Sequence, residues 1–194
     1  MSLYGVGKGL FHVYFKLFNR VTVVGRENVP KDKGILLCSN HINNLDPPLV
    51  GAMFPRDVHF MAKSELFSIP ILGKLIDKVG AFPVKRGMSD KQALRSGMKF
   101  LKDGGVVGLF PEGTRSKDGK LGEGLSGAGF FALRPEVRVV PCAIQGSYKP
   151  FGRLKIVYGK PVDLSSLREE QGAAKKATQA IMKEIQDLIE IHHK

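Results

Sequence analysis

The sequence predicts an α/β fold: a single domain with a largely parallel central sheet flanked by helices, preceded by an N-terminal amphipathic helix. Two observations carry this. Nearly all-apolar runs at 34–39 and 106–110 are of the kind that form strands buried on both faces. Between and around such runs stand segments whose apolar residues recur at helical spacing, and strands alternating with helices imply a parallel sheet covered on both sides. The 194 residues, 43% hydrophobic and 25% charged, suffice for one compact core. No linker, internal repeat or low-complexity tract divides them, so residues 1–194 are read as one domain.

Residues 3–18 hold ten apolar or aromatic side chains, from Leu3 to Phe18, interrupted by Lys8, His12 and Lys16. The interruptions leave less than the ~20 mostly apolar residues that a membrane span requires. No small-residue cleavage site follows an unbroken apolar core, so no signal peptide is expected. On a helix the three basic residues fall on one stripe. Such a helix over residues 1–19 suits the membrane interface, lysines toward anionic headgroups, and equally suits packing on its own domain.

The β-branched segment 21–25 reads as a strand, and 34–39 as a buried one. Asp46-Pro47-Pro48 reads as a helix start, with Asp46 at the cap and Pro47 first in the helix. A strand at 58–61 is followed by helical spacing of Ile69, Leu72, Leu75, Ile76 and Val79, ended by Gly80, then an extended stretch at 81–84. Ser89 and Gln92 suggest a capping box for a helix with Ala93, Leu94, Met98 and Leu101 on its apolar side. After strand 106–110 come a Gly-rich loop, a short helix near 127–133 and strands at 137–144 and 154–158. A last helix over about 166–191 is expected to bury Ala174, Ala177, Ile181, Ile185 and Leu188, with His192 at its end.

The formal charge of +12, from 30 Lys plus Arg against 18 Asp plus Glu, implies an anionic partner. No helix-turn-helix, RNA-binding or zinc pattern occurs and the cations are spread along the chain, so nucleic acid is not the expected one. Cys38 and Cys142 sit in apolar runs without metal-ligand spacing, which reads as two buried thiols in a reducing, cytosolic setting. Gly122-Glu-Gly124-Leu-Ser-Gly127 satisfies a dinucleotide glycine pattern. It follows a charged stretch in place of a strand and is read as a loop.

Four strings are candidates for chemistry. Asn40-His41 through Asp46 lies between a buried strand and a helix start, where α/β sheets place ligand sites. Five positions apart, His41 and Asp46 lie ~140° apart on a helix, but in a tight loop they can meet. The carboxylate then fixes the imidazole tautomer and stabilises the imidazolium. Phe110 to Ser116 follows a strand and offers Gly113 for close backbone approach, a planar fork on Arg115, and hydroxyls on Thr114 and Ser116. Gly80 to Arg86 delivers Lys85 and Arg86, and 140–144 reads as a buried strand holding Pro141. Lys63-Ser-Glu65 either borders the pocket or forms a surface ion pair.

In this order and at these separations the four strings resemble the 1-acyl-glycerol-3-phosphate acyltransferase family over residues 20–160. Lys85 departs from the pattern, standing where an acidic residue is common. The resemblance implies acyl transfer from a thioester, acyl-CoA or acyl carrier protein, to the sn-2 hydroxyl of lysophosphatidate, forming phosphatidate without metal or redox cofactor. It makes His41 the general base and Asp46 its partner. Arg86 and Arg115 then hold the acceptor phosphate, with Lys85, Lys63 and Asn40 as further candidates. Glu112 is expected to orient the acceptor or Arg115, and Thr114 to bind substrate. Backbone amides near Gly113 are expected to steady the oxyanion, and Pro141 to shape the site. The enzyme would sit on the cytoplasmic face of a membrane, peripheral or monotopic. The alternatives are acylation of glycerol-3-phosphate or another lysophospholipid, and a non-catalytic lipid-binding module, which has no need of His41 and Asp46 together.

Overall fold

The computed structural model describes residues 2–85, 90–116 and 118–192. The chain runs α1 (Leu3–Phe18), β1 (Arg20–Val24), β2 (Gly34–Ser39), α2 (Asp46–Met53), β3 (Val58–Lys63), α3 (Leu72–Lys78) and β4 (Phe82–Val84). It continues through α4 (Lys91–Lys102), β5 (Val106–Leu109), α5 (Gly127–Ala132), β6 (Val137–Gly146), β7 (Arg153–Tyr158) and α6 (Ala173–Ile191). Among the described residues the strands form one seven-stranded sheet in the order β1-β7-β6-β2-β5-β3-β4. Every pairing is parallel except β6 with β7, so β7 and its parallel neighbour β1 run against the rest.

Alternation along β2 sorts the core into two layers, because successive strand side chains face opposite ways. Ile35 and Leu37 join Phe15 of α1 and Leu49, Val50 and Met53 of α2 on one face. Leu36 and Cys38 join Leu101 of α4, Phe131 of α5 and Ala177, Ile181 and Ile185 of α6 on the other. The expected α/β sandwich is therefore present, with β2 and β5 at its centre.

Four details differ from the sequence reading. α6 begins at Ala173, because Gly172 adopts a left-handed φ of 74° that breaks the run from 166. Ser89 lies outside the described residues, and the cap of α4 is Asp90, whose carboxylate accepts from the amides of Gln92 and Ala93. Asp46 opens α2 without capping it. Lys8 leaves the expected basic stripe: its Nζ donates to the Arg56 carbonyl and lies 3.7 Å from Asp57, on the helix face turned inward.

α1 packs on the domain through Phe15, half-buried Phe11 and Tyr4, while Leu3, Val6, Leu10, Val13 and Leu17 stand exposed on its outer face. Asn19 alone separates α1 from β1. It is buried, its amide donates to Phe15 O and its Nδ2 to Lys149 O. α3 is no core helix either: Ile69, Leu72 and Leu75 are exposed and only Gly73 is buried. Ahead of it the Leu72 amide donates to Pro70 O across Ile71 at φ 69° and ψ −58°, a strained γ-turn that leaves Ile71 82% exposed. Val79 lies beside Gly7 of α1, so these two apolar surfaces are neighbours.

Candidate active site

β2 ends at Ser39 and the chain enters a loop before α2, which frees His41 and Asp46 from helical spacing. The His41 Nδ1 lies 2.8 Å from Asp46 Oδ2. That carboxylate is completely buried. Its Oδ2 also accepts from the amides of Ile42 and Asn43, each at 2.7 Å, and its Oδ1 from the Tyr148 hydroxyl at 2.5 Å. Three donors besides the imidazole thus converge on this one carboxylate, at the first residue of α2. Every other contact of this carboxylate is an accepted hydrogen bond, so Nδ1 is the donor to it and Nε2 keeps its lone pair.

Both backbone groups of His41 are held by the loop after β5. Its amide donates to Glu112 Oε1 at 2.8 Å, and its carbonyl accepts from the Ser116 amide at 2.8 Å. The imidazole stacks on Phe110 at 4.0 Å between centroids, and Phe110 stacks in turn on Phe60. The first and third strings thus meet, across the β2–β5 pairing, as one unit.

The structure corrects the role expected of Glu112. Its second oxygen accepts from the Gly122 amide at 2.9 Å, so this buried carboxylate clamps two loops together and is spent on backbone. Gly113 sits at φ 68°, where only glycine is unstrained, but its amide donates to Phe110 O and closes the turn. That amide is therefore not free for an oxyanion. Thr114 and Arg115 are exposed, on the stretch between the two residues that hold His41. Asn40 is buried and uses both amide atoms on the backbone of Ile144, extending the β2–β6 ladder past its end.

Lys63 pairs with Glu65 at 3.2 Å on the surface. Lys85 is exposed and its amide donates to Asp90. Arg86 lies outside the described residues. Pro141 is buried in β6 opposite Cys38. Both thiols are free and fully buried, and burial pushes Cys142 up to about 12 and Cys38 higher still, which removes either as a nucleophile. Among the described residues no group of three His, Cys, Asp or Glu is placed to hold a metal.

Tyr148 is the residue the sequence did not reveal. It stands 102 positions from Asp46, in the turn between β6 and β7, and no spacing ties it to the histidine string. Burial first, and then the Asp46 charge, push its hydroxyl far above the usual tyrosine range, so it stays a donor.

A buried strand delivering a carboxylate-backed histidine, locked to a Glu-Gly-Thr-Arg loop, defines a class. The profile of the family described as Acyltransferase matches residues 20–145, and the chain belongs to that family and is an acyltransferase. It is 33% identical over 186 residues to the 1-acyl-sn-glycerol-3-phosphate acyltransferase of Bacillus subtilis (strain 168), covering 91% of this chain and 92% of that one. It is 34% identical over 158 residues to a chloroplastic 1-acyl-sn-glycerol-3-phosphate acyltransferase of Arabidopsis thaliana, spanning 75% of this chain but 44% of that longer one. The crystal structure of the 1-acyl-sn-glycerophosphate acyltransferase of Thermotoga maritima superposes with a TM-score of 0.74 at 29% identity, over 96% of this chain and 78% of that chain.

Proposed function

We propose that the enzyme transfers a fatty acyl group from a thioester to the sn-2 hydroxyl of 1-acylglycerol-3-phosphate, forming phosphatidate. The observation that carries the mechanism is the 2.8 Å contact between His41 Nδ1 and a wholly buried, fully bonded Asp46. Nε2 takes the hydroxyl proton as the oxygen attacks the thioester carbonyl. The tetrahedral intermediate expels the thiolate, which recovers that proton from the imidazolium. Arg115 and Arg86 hold the acceptor phosphate and so keep the hydroxyl near the base. Thr114 stands beside Arg115 on the same loop. Acyl-CoA or acyl carrier protein is the co-substrate, and the reaction needs no metal or redox cofactor.

The enzyme works from a membrane surface, on its cytoplasmic face. No helix among the described residues is long and apolar enough to cross a membrane. The outer face of α1 instead presents Leu3, Val6, Leu10, Val13 and Leu17 at alternating spacings of three and four, with exposed His12 and Lys16 along one edge. Ile71 and Leu75 are exposed apolar side chains of the neighbouring segment, whose Val79 lies beside Gly7 of α1. Such a face lies in the lipid interface with its cations at the headgroups.

Purified protein in detergent micelles, given labelled acyl-CoA or acyl carrier protein with lysophosphatidate or glycerol-3-phosphate, tests the reading. Phosphatidate should form, and His41→Ala should lose about 10²–10⁴-fold in kcat. Transfer only to glycerol-3-phosphate would keep the mechanism and replace the acceptor. Undiminished activity in His41→Ala would sink the mechanism.

A further inference from the structure

A cavity of about 1150 Å³ opens beside the loop of His41, reaching Tyr148 on one side and Gly119 of the loop after β5 on another. Asn40, Ile42 and Asn43 form its near wall. The far wall carries Arg20, Lys149, Arg153 and Lys155, and no Asp or Glu lines the cavity. The cations converge because of register. Arg20 of β1 pairs with Arg153 of β7, and Thr22 with Lys155, so these side chains share one sheet face. Their neighbours Val21, Val23, Leu154 and Ile156 pack into the core on the other. α6 closes the cavity at Ile189 and His192. Gln145 also lines it, donating Nε2 to Ile189 O while its buried Oε1 has no partner among the described residues.

A concave wall of one sign concentrates anions. The sheet order decides which anion. β7 and β1 are the second and third strands from β2. At about 4.8 Å per strand, Arg153 and Arg20 stand roughly 10 and 14 Å to the side of the strand that delivers His41. Side chains rise from a sheet roughly perpendicular to it, so their length does not close that gap. In lysophosphatidate the reacting hydroxyl is four bonds from phosphorus, about 5 Å at bond lengths near ~1.5 Å. The acceptor phosphate cannot reach this wall while its hydroxyl meets the base. In a phosphopantetheine thioester the carbonyl and phosphorus are separated by about fourteen such bonds, which span the gap without full extension.

Resting on the acyl-transfer reading, we infer that this cavity seats the phosphopantetheine arm of the acyl donor. Its phosphate end lies against Arg20 and Arg153, and the thioester lies at His41. The arm is common to coenzyme A and acyl carrier protein, so the site serves either. Donor and acceptor then approach the base from opposite sides.

Kinetics test the assignment in Arg20→Gln and Arg153→Gln. Acyl-CoA and acyl carrier protein are compared with S-acyl-pantetheine, which lacks the phosphate, against lysophosphatidate in micelles. Each variant should raise the KM of a phosphorylated donor about 10-fold or more, the worth of a charged hydrogen bond. It should narrow the preference over S-acyl-pantetheine by the same factor and leave the lysophosphatidate KM in place. A rise in the lysophosphatidate KM instead, or an unchanged preference, overturns the inference. Calorimetry with 4′-phosphopantetheine and pantetheine reads the site without turnover. Tighter binding of the phosphorylated compound, lost in Arg153→Gln, supports the site even if the transferase reading fails. Equal binding of the two overturns it even if that reading stands.

Discussion

Around Asp46 every hydrogen bond is made, whereas across α1 and α3 apolar side chains stand in solvent. The carboxylate takes two amides, an imidazole and a phenol while wholly buried. Ile71, Leu10 and Leu17 are 82%, 69% and 65% exposed. The difference follows from what each region meets. The base we propose must hold one geometry against thermal motion, and the supports of His41 are directional. A lipid surface asks only for area, supplied by any apolar side chain on the correct arc of a helix. The first region is complete as folded, and the second leaves its apolar side chains without a partner surface among the described residues.

The sharpest way to break the comparison is at Asp46. Asp46→Asn keeps the volume but puts an amide among donors that all require an acceptor, so the imidazole loses its fixed tautomer. A fall in kcat of about 10³-fold or more is expected, with little change in the acceptor KM. Near-wild-type turnover would mean that the buried pair only holds the loop. On the other side, Leu10→Ser combined with Leu17→Ser removes two outer-face side chains, each worth about 1.5–3 kcal/mol when fully buried. Partial immersion makes the combined loss in vesicle cosedimentation about 10- to 100-fold, with helicity retained by circular dichroism. Undiminished binding would show that this face is covered by something other than lipid.

The smallest effect concerns the sheet between them. Buried Cys142 is pushed up to about 12 and Cys38 higher, so both keep their protons in the fold. Thiols of the unfolded chain ionise near ~8.5. The unfolded state therefore sheds protons first as the pH rises. The stability the thiols contribute is whole below about pH 8.5 and is lost progressively toward the folded value, by at most about 1.4 kcal/mol per pH unit for each. Urea midpoints at pH 8, 9 and 10 should fall, and fall less steeply in Cys142→Ala. Equal slopes would remove the thiols from the account.

What the sequence disclosed follows the same division. β2 and β5 were legible because strands buried on both faces are continuous apolar runs, and His41 and Asp46 because a loop bounded by a strand and a Pro-led helix brings them together. The reversed direction of β1 and β7 was not, since a short β-branched run carries no mark of its direction. Tyr148 was hidden because its tie to Asp46 crosses the whole fold. The family resemblance implies that Glu112 orients the acceptor or Arg115, and spacing does not show that two backbone amides, those of His41 and Gly122, donate to it. Helical arithmetic sets Lys8 on one stripe with His12 and Lys16 without saying where that stripe rests, and for Lys8 the Arg56 carbonyl and Asp57 decide it.

The joint at Asn19 is where the two regions meet. One buried residue joins α1 to β1, pinned to Phe15 above it and to Lys149 below, and Phe151 donates to Phe18 beside it. Lys149 and Phe151 belong to the same turn that presents Tyr148 to Asp46. The bearing of α1 and the bearing of the sheet are thus one variable. If α1 lies flat on a bilayer as proposed, the height at which the edge carrying His41 rides above the lipid is already set, like the waterline of a hull.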